Sequence, residues 1–124
     1  MPAVNRVLEI CAFSVEDALA AAEHGAQRIE FCCHYELGGL SPAFSDTQQL
    51  LSQLPPSVDL AVMVRPRAGD FVYSRHEQYD MLEEVRQLGE LGGVEAVVFG
   101  ALKPQGGLDE SFCQEMVNIA HSYG

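Results

Sequence analysis

The chain alternates four times between a short apolar segment, rich in β-branched and aromatic residues, and a longer segment with helical periodicity. The predicted strands are residues 6–11, 28–33, 59–66 and 95–101. The predicted helices are residues 15–25, 46–54, 76–91 and a last helix that begins near residue 109. Strands joined by helices pair in parallel, so this alternation predicts an α/β fold with a parallel sheet.

The third and fourth predicted strands are almost entirely apolar, which indicates a sheet covered by helices on one side. We therefore predict a (β/α) TIM-type barrel. A complete barrel of eight units needs about 250 residues, whereas this chain has 124. We expect residues 1–124 to form the first four strand-helix units, the N-terminal half of a truncated barrel domain.

The acidic composition limits the partners that the chain can have. Seven basic and 18 acidic residues give a net charge of −11, which argues against binding to nucleic acid or to an anionic membrane surface. The sequence has no signal-peptide pattern and no apolar run of the about 18 residues that a membrane span needs, so we expect a cytoplasmic location. The four cysteines lack C-x-x-C spacing, and we expect reduced thiols.

Alternation along the predicted strands collects polar side chains on one face. Side chains of a strand point to opposite faces in turn, so the inner wall of the barrel is predicted to carry Glu9, Cys11, Arg28, Glu30, Cys32, Met63 and Arg65. One interpretation is that the carboxylates and arginines form structural ion pairs. The other is that Glu30 or Glu9 acts as an acid or base beside Arg65, because barrel sites lie at the carboxyl ends of strands.

Two of these side chains are thiols on neighbouring strands. We expect Cys11 and Cys32 to lie close enough to share one soft metal ion, and thiolates favour Cu(I), with Met63 as a further sulfur ligand. The alternative is that both cysteines only fill space in the core. Cys33 faces the other way and Cys113 lies on the last helix, so we expect structural roles for these two.

Four segments, GAQRIEFC, GGLSPAF, VMVRPRAGDFVY and VVFGALKPQGGLD, occur in this order, and together they resemble the CutC copper-homeostasis family. The resemblance implies a (β/α) barrel and a link to copper handling in the cytoplasm. It also places two family motifs on this chain, the third-strand motif at Arg65, Arg67, Gly69, Asp70, Phe71 and Tyr73, and the second-strand motif at Glu30 and Cys32. Where GGLTPS is typical of the family, this chain reads GGLSPA, so Ser41 keeps a hydroxyl and Ala43 lacks one.

Three hypotheses for function follow. In the first, Cys11 and Cys32 bind copper as Cu(I). In the second, the chain is a barrel enzyme that acts on a small anionic molecule, with Arg65, Arg67 and Asp70 at the substrate and Glu30 or Glu9 as acid or base. In the third, the half barrel has no function of its own and self-associates through its uncovered sheet edges.

Overall fold

A computed structural model describes residues 6–124 of the chain. Four strands alternate with four α-helices in chain order: β1 (Glu9–Ala12), α1 (Val15–Glu23), β2 (Arg28–Phe31), α2 (Phe44–Gln53), β3 (Asp59–Met63), α3 (Arg75–Leu91), β4 (Ala96–Val98) and α4 (Glu110–His121). The strands form one parallel sheet in the order β1-β2-β3-β4. The predicted α/β class with a parallel sheet is confirmed, and the architecture is that of part of a TIM-type barrel.

Side-chain caps fix where three of the helices begin. The Ser14 hydroxyl accepts the backbone N–H of Asp17 at 3.0 Å at the start of α1, as its sequence position predicts. Ser74 and Glu77 form a reciprocal capping box at the start of α3. The Asp109 carboxylate accepts the N–H of Phe112 at 3.2 Å and begins α4. Local sequence therefore determines the boundaries of these helices.

The core lies between the sheet and the helices. The sheet contributes the alternate, fully buried side chains of Ile29, Phe31, Leu60 and Val62. The helices contribute Leu50 from α2, Met81, Leu82, Val85 and Leu88 from α3, and Phe112 and Met116 from α4. The buried positions of α3 and α4 are spaced mainly three or four residues apart, as one face of a helix requires. Side chains alternate between the two faces of a strand, so the other residues of each strand lie on the opposite face of the sheet. Several of these side chains are exposed.

Several predicted boundaries are wrong. The strands are shorter than predicted, most clearly β4, and β1 begins only at Glu9. Helix α2 begins at Phe44, two residues before the predicted start, because its N-cap Ala43 makes no side-chain hydrogen bond and leaves no capping signal in the sequence. The segment before it contains a short 3-10 helix, Tyr35–Leu37, where only a loop was predicted. Residues 1–5, which belong to the predicted domain, lie outside the described residues.

In the described part of the chain, none of the helices combines the length and the apolar character that crossing a bilayer requires.

Candidate metal centre on the open face of the sheet

The predicted thiol pair meets on the side of the sheet that faces away from the helices. Cys11 of β1 is the register partner of Glu30 of β2, and Cys32 follows Glu30 by two residues on the same face. Parallel pairing in this register brings together Cys11 from β1, Glu30 from β2 and Cys32 just after β2. The strand register thus builds this cluster, which we call the Cys-Glu cluster (Cys11, Glu30 and Cys32).

The ligand atoms of the Cys-Glu cluster lie within contact distance. The sulfur atoms of Cys11 and Cys32 are 3.8 Å apart, and Cys32 Sγ lies 3.7 Å from Glu30 Oε1. All three ligand atoms lie within 4.8 Å of one another, and among residues 6–124 this is the only such group of three or more metal-ligating side chains. Both cysteines are free thiols. Two sulfur atoms and one carboxylate oxygen therefore converge on one point.

Burial favours the protonated forms of these groups while no metal is bound. Cys32 is only 1% exposed, and its pKa is raised far above the ordinary value, first by burial and then by the neighbouring Cys11. Burial also raises the pKa of Cys11. The pKa of Glu30 is raised by burial and by the Glu9 carboxylate beside it. A metal ion that binds here must displace thiol protons.

Glu9 and Arg28 form a cross-strand ion pair on the same face. The Arg28 side chain donates from Nε to a Glu9 carboxylate oxygen, and the two residues are register partners of β1 and β2. The structural ion pair predicted from the sequence is therefore present for these two residues. Glu9 still lies close enough to Glu30 to raise its pKa, so its predicted role as an acid or base stays a prediction.

Arg65, just after β3, binds backbone carbonyls of two loops. Its Nη1 donates to the carbonyls of Leu37 and Gly39 at 3.3 and 3.2 Å, and its Nη2 donates to Gly69 at 3.1 Å. The guanidinium also lies over the Phe71 ring at 4.8 Å. Its Nε is buried and has no hydrogen-bond partner in the described structure. Arg65 thus holds the loops at the strand ends and keeps one donor unused.

Arg67 and Asp70, the other predicted substrate-binding residues, contact each other. Arg67 Nη2 donates to Asp70 Oδ1 at 3.1 Å and to the Val72 carbonyl at 2.8 Å, and its Nε donates to Glu77 of α3. The guanidinium also lies 5.0 Å from the centre of the Tyr73 ring. These contacts fold the loop after β3 onto the start of α3, and the predicted role of both residues at a substrate stays a prediction.

Other sulfur and imidazole side chains lie around the cluster or away from it. Met63 lies on the open face at the end of β3 and is half-buried. His34 is exposed and bonds Glu36 at 2.9 Å. Cys33 donates from its sulfur to the Ser41 carbonyl at 2.9 Å, and Cys113 lies on α4 against the core, so neither joins the Cys-Glu cluster.

Sequence reasoning missed two polar residues that face a cavity between α2 and α3, Thr47 and Glu84. Glu84 is three residues after Met81 and four before Leu88, so it lies on the apolar side of α3. A carboxylate at an apolar position was the sequence feature that could have identified Glu84. Tyr73 was assigned only by resemblance, and its hydroxyl is buried without a partner in the described structure.

Comparison with known proteins places this arrangement in a family. The CutC family model matches residues 6–124. A copper homeostasis protein cutC homolog of Caenorhabditis elegans is 40% identical over 116 residues, which are 94% of this chain and 46% of that protein. The human homolog of the same name is 37% identical over 113 residues, which are 91% of this chain and 40% of that protein.

A solved structure agrees with the family model. The crystal structure of a CutC protein from Streptococcus agalactiae matches with a TM-score of 0.81 at 27% identity, over 94% of this chain and 56% of that one. The chain spans less than half the length of the two curated relatives described above. Because the family model covers nearly all of the chain, the chain belongs to the CutC family.

Proposed function

We propose that this chain binds one Cu(I) ion through the sulfur atoms of Cys11 and Cys32, as part of copper homeostasis in the cytoplasm. The observation that carries the proposal is the 3.8 Å separation of the two sulfur atoms on the open face of the sheet. Thiolates are soft ligands and select Cu(I) over harder divalent ions. The names of the relatives support the same metal.

The surroundings of the two thiols fit a soft monovalent ion. Cys32 is buried and Cys11 is exposed, so an ion that enters from the solvent side meets Cys11 first and Cys32 below it. Glu30 Oε1 accepts from the Cys32 thiol, which gives the released proton a nearby carboxylate. With two sulfur donors and one weaker oxygen donor, the Cys-Glu cluster favours low coordination numbers.

A titration of the reduced protein with Cu(I), against a competing chromophoric chelator and without oxygen, tests this proposal. We expect one ion per chain and a loss of affinity of about tenfold or more in Cys11→Ser and in Cys32→Ser. Cys113→Ser is the matched control, because its thiol lies on α4 outside the cluster. Unchanged affinity in both cluster variants would remove the proposal.

A second candidate function is that of an enzyme acting on a small anionic molecule. It is favoured by two buried donors without partners in the described structure, Arg65 Nε and the Tyr73 hydroxyl, near the carboxyl end of β3. Glu30, with its raised pKa, is the acid or base in this candidate, beside Glu9. Arg67 and Asp70 then order the loop that carries Tyr73.

Thermal stabilisation by a panel of small phosphates and carboxylates tests the second candidate. We expect at least one compound to raise the Tm of the wild-type chain and to lose this effect in Arg65→Met. Arg86→Met, an exposed arginine on α3, is the control. If no anion in the panel stabilises the wild-type chain, the candidate is rejected.

A further inference from the structure

The loop that follows β2, residues 33–41, folds back on itself. Cys33 and Leu40 exchange two backbone hydrogen bonds of 2.9 and 2.8 Å. The Ser41 hydroxyl accepts the backbone N–H of Arg65 at 2.8 Å, which joins the end of the loop to β3. None of these bonds involves the Arg65 side chain. The base of the loop is thus fixed by the backbone and one serine, and the tip needs contacts of its own.

The tip of this loop lies against the buried sulfur of the Cys-Glu cluster. A methyl group in place of one hydrogen of Gly39 would lie 3.8 Å from Cys32 Sγ and 3.5 Å from Phe13 Cε1. Gly38 and Gly39 have φ angles of 87° and 95°, which glycine adopts without strain. Cys32 is 1% exposed, whereas Cys11 is exposed. Gly39 and Phe13 therefore cover Cys32 from the loop side and leave the Cys11 side open.

The side chain that holds the tip is Arg65. Its Nη1 donates to the carbonyls of Leu37 and Gly39 at 3.3 and 3.2 Å, and its Nη2 donates to the Gly69 carbonyl at 3.1 Å. The packing is close, since a methyl group on Gly38 would lie 3.1 Å from Nη1. One guanidinium therefore ties the tip of the loop after β2 to the loop after β3.

These contacts control whether the tip opens. The guanidinium is a charged donor, and its bonds to carbonyls are stronger than bonds between neutral groups. Because the base of the loop keeps its own bonds, loss of the Arg65 side chain opens the tip locally and leaves the sheet in place. An open tip removes the cover of Gly39 from Cys32, the deeper of the two sulfur atoms.

We propose that Arg65 is a positioning residue for the copper site, which holds Gly39 over Cys32 so that the ion exchanges only past Cys11. This role rests on the proposed function and adds to it the control of how fast the ion leaves. Arg65 acts through the Gly39 carbonyl and not as a ligand. With the tip closed, a bound ion has one way out, and its release is slow.

Alkylation of the metal-free chain with iodoacetamide, followed by mass spectrometry of each cysteine, measures the cover without copper. A buried thiol reacts when its surroundings open, so its rate reports the open population. In a Cys11→Ser background, which prevents an adduct at the neighbouring thiol, Arg65→Met should raise the rate at Cys32 about tenfold or more. The rate at Cys113, on α4, should not change.

Two further variants separate local opening from general loss of stability. Arg65→Lys keeps the charge but has a single donor group for two loops, so it should expose Cys32 in the same direction. Arg75→Met removes two hydrogen bonds to Glu115 between α3 and α4, and it should leave the rate at Cys32 as in wild type. No rise at Cys32 in either Arg65 variant, or an equal rise at Cys113, would overturn the proposal.

Transfer of Cu(I) from the loaded chain to an excess of chelator tests the consequence for copper. With both cluster cysteines present, Arg65→Met should release Cu(I) about tenfold faster than wild type, because the tip opens more often. Arg75→Met should release it at the wild-type rate. A wild-type chain that binds no Cu(I) would overturn the proposed function together with this role. Release from Arg65→Met at the wild-type rate would overturn the role of Arg65 alone.

Discussion

At the scale of single residues, the environment of the two cluster thiols separates metal binding from other cysteine chemistry. A nucleophilic or redox-active cysteine has a lowered pKa and lies near positive charge. Here burial raises the pKa of both Cys11 and Cys32, and the charged neighbours that act on them are carboxylates. These thiols are poor nucleophiles at neutral pH. The metal ion proposed above would replace the thiol proton by a bond, which is consistent with this environment.

The raised pKa values predict that Cu(I) affinity depends on pH. The raised pKa of each thiol favours its protonated form in the free chain, so binding should release protons, and apparent affinity should rise with pH by up to about tenfold per released proton per pH unit. Competition titrations between about pH 6 and about pH 8 measure this slope. Cys113→Ser should keep the slope. An affinity that does not change over this range would mean that no thiol proton is displaced.

At the scale of elements, the junction between β3 and α3 depends on one capping box. Glu77 accepts the N–H of Ser74 at 2.8 Å and also binds Arg67, so a single carboxylate begins α3 and anchors the preceding loop. Arg67 holds that loop through the Asp70 and Val72 carbonyls. The position of Tyr73 therefore depends on the first turn of α3.

Ser74→Ala should reduce the free energy of unfolding by about 1 kcal/mol, because the N–H of Glu77 loses the hydroxyl that it bonds at 3.1 Å. Urea unfolding followed by circular dichroism measures this change. Ser111→Ala is the matched control, since Ser111 is exposed in the first turn of α4 and follows the Asp109 cap. Equal stability of Ser74→Ala and wild type would show that the capping box contributes nothing to α3.

The sequence predicted the alternating strands and helices and the face on which strand residues lie. It did not predict helix starts without a capping residue or contacts between distant residues. Alternation placed Cys11, Glu30 and Cys32 on one face, because parallel strands in this register share their side-chain direction. The start of α2 was misplaced because Ala43 carries no capping group. The pairing of Arg67 with Glu77 joins a loop to a helix ten residues later, and no periodic pattern specifies such a contact.

At the scale of the whole molecule, the sheet formed by residues 6–124 has two edges and one largely uncovered face. In the order β1-β2-β3-β4, strands β1 and β4 each lack a neighbour on one side within the described residues. The exposed apolar side chains include Val7 and Leu8 just before β1 and Leu102 after β4. Unpaired strand edges with apolar neighbours favour pairing between chains.

We therefore expect the chain to self-associate. Sedimentation velocity should show a weight-average mass that rises with concentration, because edge pairing is a bimolecular equilibrium. Val7→Lys with Leu8→Lys should shift the distribution toward monomer, since lysines at an edge oppose pairing. Glu90→Lys, which changes charge on exposed α3, controls for charge alone. A monomer at every concentration tested would contradict this expectation.

The central claim is that Cys11 and Cys32 bind the same copper ion. X-ray absorption at the copper edge, on the Cu(I)-loaded chain, measures the number of sulfur neighbours directly. We predict two sulfur ligands per copper in wild type and in Cys113→Ser, and one fewer in Cys32→Ser. The same number of sulfur ligands in Cys32→Ser as in wild type, or a copper ion with only nitrogen and oxygen neighbours, would contradict the claim.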